Sequence, residues 1–161
     1  AVFGLAADLA QDADAVETAL WYHDAVYVPR SRDNEKASAE KAVRELSGIG
    51  LPPDWVQCVK RLVLSTRHDQ PSDTPDERLI RDIDLAVRGR PLAEYERYAE
   101  AIRQEYPDTD EADYNAGRSQ VLRAFLNRRR IYETDWFFSR YESAARKNLR
   151  SELQRLASAR W

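Results

Sequence analysis

The chain of 161 residues has no methionine, one cysteine, two histidines and five glycines. A lone cysteine, Cys58, excludes an intrachain disulfide and fits a reducing compartment, so a cytoplasmic setting is expected. No run of about 18 uncharged apolar residues occurs and no basic-then-apolar signal region is visible, so neither membrane spanning nor export is expected. Also missing is an excess of charge of one sign. The 28 acidic and 25 basic residues leave a net charge of -3, so no basic field recruits nucleic acid. Nothing in the length demands disulfides or a structural metal to complete a core, and a single domain over 1–161 is expected. Any metal would then be functional. Without methionine, and opening on Ala1-Val2-Phe3-Gly4 inside an apolar helical pattern, the chain is expected to continue upstream of Ala1.

What is present is helical periodicity. Nearly every segment repeats its apolar positions at spacings of three and four, and none sustains the two-residue alternation of a half-buried strand. The expected fold is an all-α, compact multi-helix bundle of about eight helices. They run from Val2 to about Ala10, from the Asp12-Ala13-Asp14 cap to about Ala25, and from Asn34 to about Ser47 behind Asp33. A fourth follows an Asp54 cap to about Thr66, and a fifth starts at Thr74-Pro75-Asp76-Glu77 and stops at Gly89. Pro91 to Tyr106, Asp110 to about Leu126 and Thr134 to about Ala157 complete the set. The aromatic stripes Tyr95, Tyr98, Ile102, Tyr106 and Trp136, Phe137, Tyr141, Leu149 read as core or helix–helix interface rather than a cofactor platform.

Two chemistry-bearing groups fall on apolar stripes. Val16, Ala19 and Leu20 continue at helical spacing onto His23, which is followed by Asp24. Ile80, Ile83 and Val87 share their face with Asp84, while Asp82 is expected on the other side. A carboxylate on an apolar face needs a cation or a strong donor beside it. His23, Asp24 and Asp84 combine nitrogen and oxygen donors that suit Mn, Fe, Mg, Ni or Zn. Three donors leave room for water, substrate or a fourth ligand, as a catalytic centre requires.

The run Ala19-Leu20-Trp21-Tyr22-His23-Asp24-Ala25-Val26-Tyr27 followed by Asp33-Asn34-Glu35 resembles the metal-dependent phosphohydrolases of the HD superfamily. The resemblance continues through Leu64-Ser65-Thr66-Arg67-His68, Asp82-Ile83-Asp84-Leu85-Ala86-Val87, and Ala116-Gly117-Arg118 with Ile131-Tyr132, and so covers nearly the whole chain. It implies an HD-type helical domain whose divalent metal is held by an early histidine, the His-Asp pair and a late aspartate. The last three fall on His23, Asp24 and Asp84. Nothing before His23 can serve as the early histidine, which is therefore expected upstream of Ala1.

The resemblance also turns His68 toward the site, as a proton donor to the leaving oxygen, a phosphate contact or a ligand of a second metal, the first two being favoured. Asn34 and Glu35 begin a helix whose free N–H groups can receive an anion. Arg30, Arg32, Arg67 and Arg81 are candidate phosphate clamps, because a guanidinium matches phosphate geometry. Asp69 and Asp82 are expected as supporting or solvated groups. Together these imply hydrolysis of a small phosphate ester, such as a nucleotide, by metal-activated water. The alternative is a ligand-binding or interaction module that keeps the fold without turnover. With either, the last helix can form a homodimer through Trp136, Phe137 and Tyr141.

Overall fold

A computed structural model describes residues 2–28, 31–68 and 70–158. Among them all regular structure is helical: α1 Val2–Ala6, α2 Ala13–Tyr22, α3 Asn34–Gly48, α4 Pro53–Ser65, α5 Pro75–Leu85, α6 Leu92–Gln104, α7 Glu111–Leu126 and α8 Asp135–Ser158. Short 3-10 turns follow α1 at Ala7–Leu9 and α5 at Ala86–Gly89. None of these helices is long and apolar enough to cross a membrane. Eight helices match the expectation. Their contacts group into two units, residues 1–84 and 85–161.

In the first unit α2, α3 and α4 pack on one another. The faces of α2 and α3 are lined by Ala15, Ala19, Ala39 and Ala42, small enough for close approach, while α4 supplies Val56, Val59, Leu62 and Val63. Burying each of the larger side chains contributes ~1.5–3 kcal/mol. The Asp12 side chain caps α2 by accepting from Ala15 N–H at 2.9 Å. Asp33 stands at the cap position of α3, yet makes no side-chain cap bond. Asp54 is not the cap of α4: that helix begins at Pro53, whose missing N–H costs nothing in the first turn, so Asp54 lies inside it. Thr74 and Glu77 form a reciprocal box at the start of α5. Thr74 Oγ1 accepts from Glu77 N–H, and the Glu77 carboxylate accepts from Asp73 and Thr74 N–H. Buried Asp76 then ties α5 to the entry of α2, taking Gln11 N–H at 2.7 Å and Asp12 N–H at 3.0 Å on its two oxygens.

Asp82 departs from expectation. It is fully buried, as is most of Arg81 beside it, so α5 is covered over Leu79, Ile80, Arg81, Asp82 and Leu85 rather than along one stripe. An apolar count along the chain does not register a helix enclosed on two sides, because its second buried face carries charged residues.

The second unit is organised by α8. Asn148 donates to the carbonyls of Arg88 and Arg90 at 2.8 and 2.9 Å, and the Arg146 guanidinium takes the Leu126 and Arg128 carbonyls at the end of α7. Glu142 accepts from Ile131 and Tyr132 N–H, which turns the chain into α8. Phe137 is fully buried against Tyr132 and Tyr141, with ring centroids 6.0 and 5.2 Å away. The aromatic stripe of α8 is therefore core at Phe137, Tyr141 and Leu149, while Trp136 is half-buried. Phe137 and Tyr141 are enclosed within the chain, so neither is free to face a partner subunit.

Candidate metal centre

The chemistry-bearing side chains meet in the first unit. Helix α2 ends sooner than its periodicity implies. Its last residue is Tyr22, His23 is the C-cap with its N–H on Ala19 O, and Asp24 stands in the turn beyond. The pair thus straddles a helix end, and the chain then extends through residues that α3 holds. Ser38 Oγ accepts from Val26 N–H and donates to Val26 O, and the Asn34 carboxamide does the same with both backbone groups of Val28. Four residues of helix and two of extended chain each advance about 6–7 Å, so the Asn34 and Ser38 spacing matches Val28 and Val26.

His23 is oriented from behind. Its Nδ1 lies 2.7 Å from Leu20 O, and a carbonyl only accepts, so Nδ1 carries the proton and Nε2 faces outward. Nε2 then meets Asp24 Oδ2 at 3.4 Å and Asp84 Oδ1 at 3.5 Å. His68 approaches the same carboxylate from its other side, with Nε2 2.8 Å from Asp84 Oδ2. Arg81, one turn before Asp84 on α5, donates through Nε to His68 Nδ1 at 3.4 Å and through Nη1 to Gln70 O at 2.8 Å. An arginine only donates and a carboxylate accepts, so both neighbours require the proton of His68 on Nε2. His68 also has a left-handed backbone, φ 58°, a conformation that costs a non-glycine residue about 1 kcal/mol or more and here is held by contacts at both ring nitrogens.

The charge balance follows from this arrangement. Hydrogen bonding to Asp84 raises the pKa of His23 from 6.5 to about 9, burial opposes the rise, and the charges of Asp84 and Asp24 and the Leu20 carbonyl add to it. Without a bound cation, the imidazolium itself is the positive charge that the two carboxylates require.

The donor set suits a divalent metal in type and in part in spacing. Ligand bonds near 2.0–2.1 Å in a tetrahedron put neighbouring donors about 3.3–3.4 Å apart, close to the 3.4 and 3.5 Å separations that meet at His23. Among the described residues no group of three His, Cys, Asp or Glu side chains is spaced to hold a metal ion, so the cage is unfinished. Coordination by His23 would require loss of its Nε2 proton.

The remaining expected site residues divide. His68 is in the cluster, with a side chain only 12% exposed rather than solvated. Asn34 is buried and its carboxamide is engaged with Val28. Glu35 is half-buried in the first turn of α3, and Arg67 is exposed in the turn before His68. Arg32 is exposed. Arg30 and Asp69 lie outside the described residues. Arg81, expected only as one of four phosphate clamps, is instead the buried brace of His68. Its position three residues before Asp84 is the signal for that role, since such spacing places both on one helical face. The chain matches no protein-family model, no curated protein and no solved structure.

Proposed function

We propose that this protein is a metal-dependent phosphohydrolase of the HD type acting on a small phosphate ester such as a nucleotide, with His23, Asp24 and Asp84 as metal ligands. The observation that supports it most is the convergence of Asp24 and Asp84, sixty residues apart in sequence, on one imidazole nitrogen whose other nitrogen is fixed by a carbonyl. His23, Asp24 and Asp84 would hold the cation, which when bound would supply Lewis acidity toward a phosphoryl oxygen and lower the pKa of a water. The residues of the chain do the rest. Leu20 aims His23, Asp84 is held by the His68 N–H, and Arg81 keeps that N–H in place. Arg67, exposed in the turn before His68, is the phosphate contact of this reading, and Glu35 in the first turn of α3 is its candidate acid or base. A single cysteine fits the reducing, cytoplasmic setting of this reading.

Metal analysis combined with a panel of phosphomonoesters and nucleotides tests this reading. Turnover that requires a divalent cation and disappears in Asp84→Asn supports it, whereas neither bound metal nor turnover refutes it.

A second reading, ligand binding without hydrolysis, draws on the unfinished cage. It expects nucleotide binding that survives chelation and yields no product.

A further inference from the structure

Several aromatic rings of the second unit carry a guanidinium on one face. Arg130 lies 3.9 Å from the Phe138 ring centroid, Arg140 4.3 Å from that of Trp136 and Arg103 4.7 Å from that of Tyr114. The first unit holds two indoles without such a cover. Trp21 is 79% exposed and Trp55 is half-buried, and neither makes a hydrogen bond, ring contact or cation contact with a described residue. Both line a groove of about 550 Å³ at the junction of α2 with the start of α4, where Leu51 and Pro52 add apolar wall, and this volume lies within the range of small-molecule sites.

The charge beside the indoles defines what fits there. Asp14, Glu17 and Trp21 recur at spacings of three and four, so one face of α2 carries two carboxylates and an indole into the same groove. Neither carboxylate has a hydrogen bond or an ion pair with a described residue. Two independent features thus call for a cation, since an indole face attracts positive charge more strongly than any other side-chain ring. An anion would be repelled by both. A neutral apolar group would cover the rings and leave the carboxylates uncompensated, and a primary ammonium would give up strong hydration to lie on a ring. A quaternary ammonium has a positive charge beneath an apolar skin of methyl groups, so it loses little hydration against indole while its charge remains within reach of the carboxylates.

We infer that the groove between α2 and the start of α4 binds a small quaternary ammonium compound of the choline type, with its trimethylammonium head against Trp21 and Trp55 and its charge balanced by Asp14 and Glu17. None of these residues belongs to the His23, Asp24 and Asp84 cluster, and the site stands whether or not that cluster hydrolyses phosphate.

Isothermal titration of the whole chain with choline at fixed ionic strength tests the inference, with 3,3-dimethylbutanol as the uncharged molecule of the same shape. The expected result is saturable one-site binding of choline and none of the alcohol. Binding should weaken about fivefold or more in Trp21→Leu and in Trp55→Leu, weaken about threefold or more in the double variant Asp14→Asn, Glu17→Gln, and stay unchanged in Glu40→Gln on α3. If Trp55→Leu does not fold, Trp21→Leu decides alone, because its side chain is exposed. Absence of saturable choline binding, equal binding of the alcohol, or full affinity in Trp21→Leu or in the double variant overturns the proposal. So does an equal loss in Glu40→Gln, which would mark diffuse attraction to an acidic surface, or a dimer in sedimentation that Trp21→Leu dissolves, which would give the groove to a second copy of the chain.

Discussion

Nε2 of His68 donates to Oδ2 of Asp84 across 2.8 Å, while Oδ1 of the same carboxylate faces Nε2 of His23 at 3.5 Å. One carboxylate therefore joins a loop imidazole to the imidazole at the end of α2. His68 holds Asp84 in orientation, and Arg81 holds His68.

If Asp84 is a ligand and His68 its brace, their substitutions differ in degree. Asp84→Asn is expected to abolish metal occupancy, while His68→Gln lowers metal affinity by about 10–100-fold and leaves the ligand set intact. Inductively coupled plasma analysis and metal titration of the two variants check this; equal losses would count against the division of roles.

The raised pKa of His23 makes stability pH-dependent in chelator-treated protein. The folded value of about 9 lies above the unfolded value near 6.5, so folding is favoured by protonation. The contribution is fully present below pH ~6.5 and lost as pH rises through ~9, with an upper bound of about 3 kcal/mol. Urea unfolding at pH 6 and pH 10 should show a fall that His23→Gln abolishes. No difference between wild type and variant would mean that Asp84 and Asp24 do not hold the proton on His23.

Gly89 is required by a close approach. A Cβ there would lie 2.7 Å from Tyr141 Cβ and 2.8 Å from Tyr141 O, the latter backbone that cannot move aside cheaply. Gly89→Ala is expected to destabilise by ~1–3 kcal/mol, read as a lower thermal midpoint. An unchanged midpoint would show that α8 does not press on this turn.

The Arg118 and Glu152 pair has side chains 8% and 5% exposed. Removing one partner strands the other charge, so Arg118→Met is expected to cost ~3–5 kcal/mol, whereas the double variant Arg118→Met, Glu152→Leu should recover much of the loss. Denaturant unfolding of the double-variant cycle gives the coupling directly, and additive losses would exclude it.

Much of this was legible along the chain. Helical spacing places all eight helices with ends shifted by a few residues, and Pro75 and the Thr74-Glu77 box mark the start of α5. His23, Asp24 and Asp84, each on or beside an apolar stripe, stood out along the chain, and they do meet in the structure. Asp82 was misread because its burial comes from a second covering of α5, which single-stripe periodicity does not record. Asn34 looked available to an anion. Its engagement with Val28 depends on how the segment after Asp24 lies along α3.

Residue order alone settled the helical class and the starts of α2 and α5, because these follow from interactions within a turn or two of chain. Tertiary packing decided which lone pairs face one another: Asp84 against both imidazoles, Arg81 behind His68, Asn34 along Val28. Such pairings depend on distances of an ångström or less between segments far apart in the chain, and the sum of many weak burial contacts sets those distances, with no local pattern to announce them.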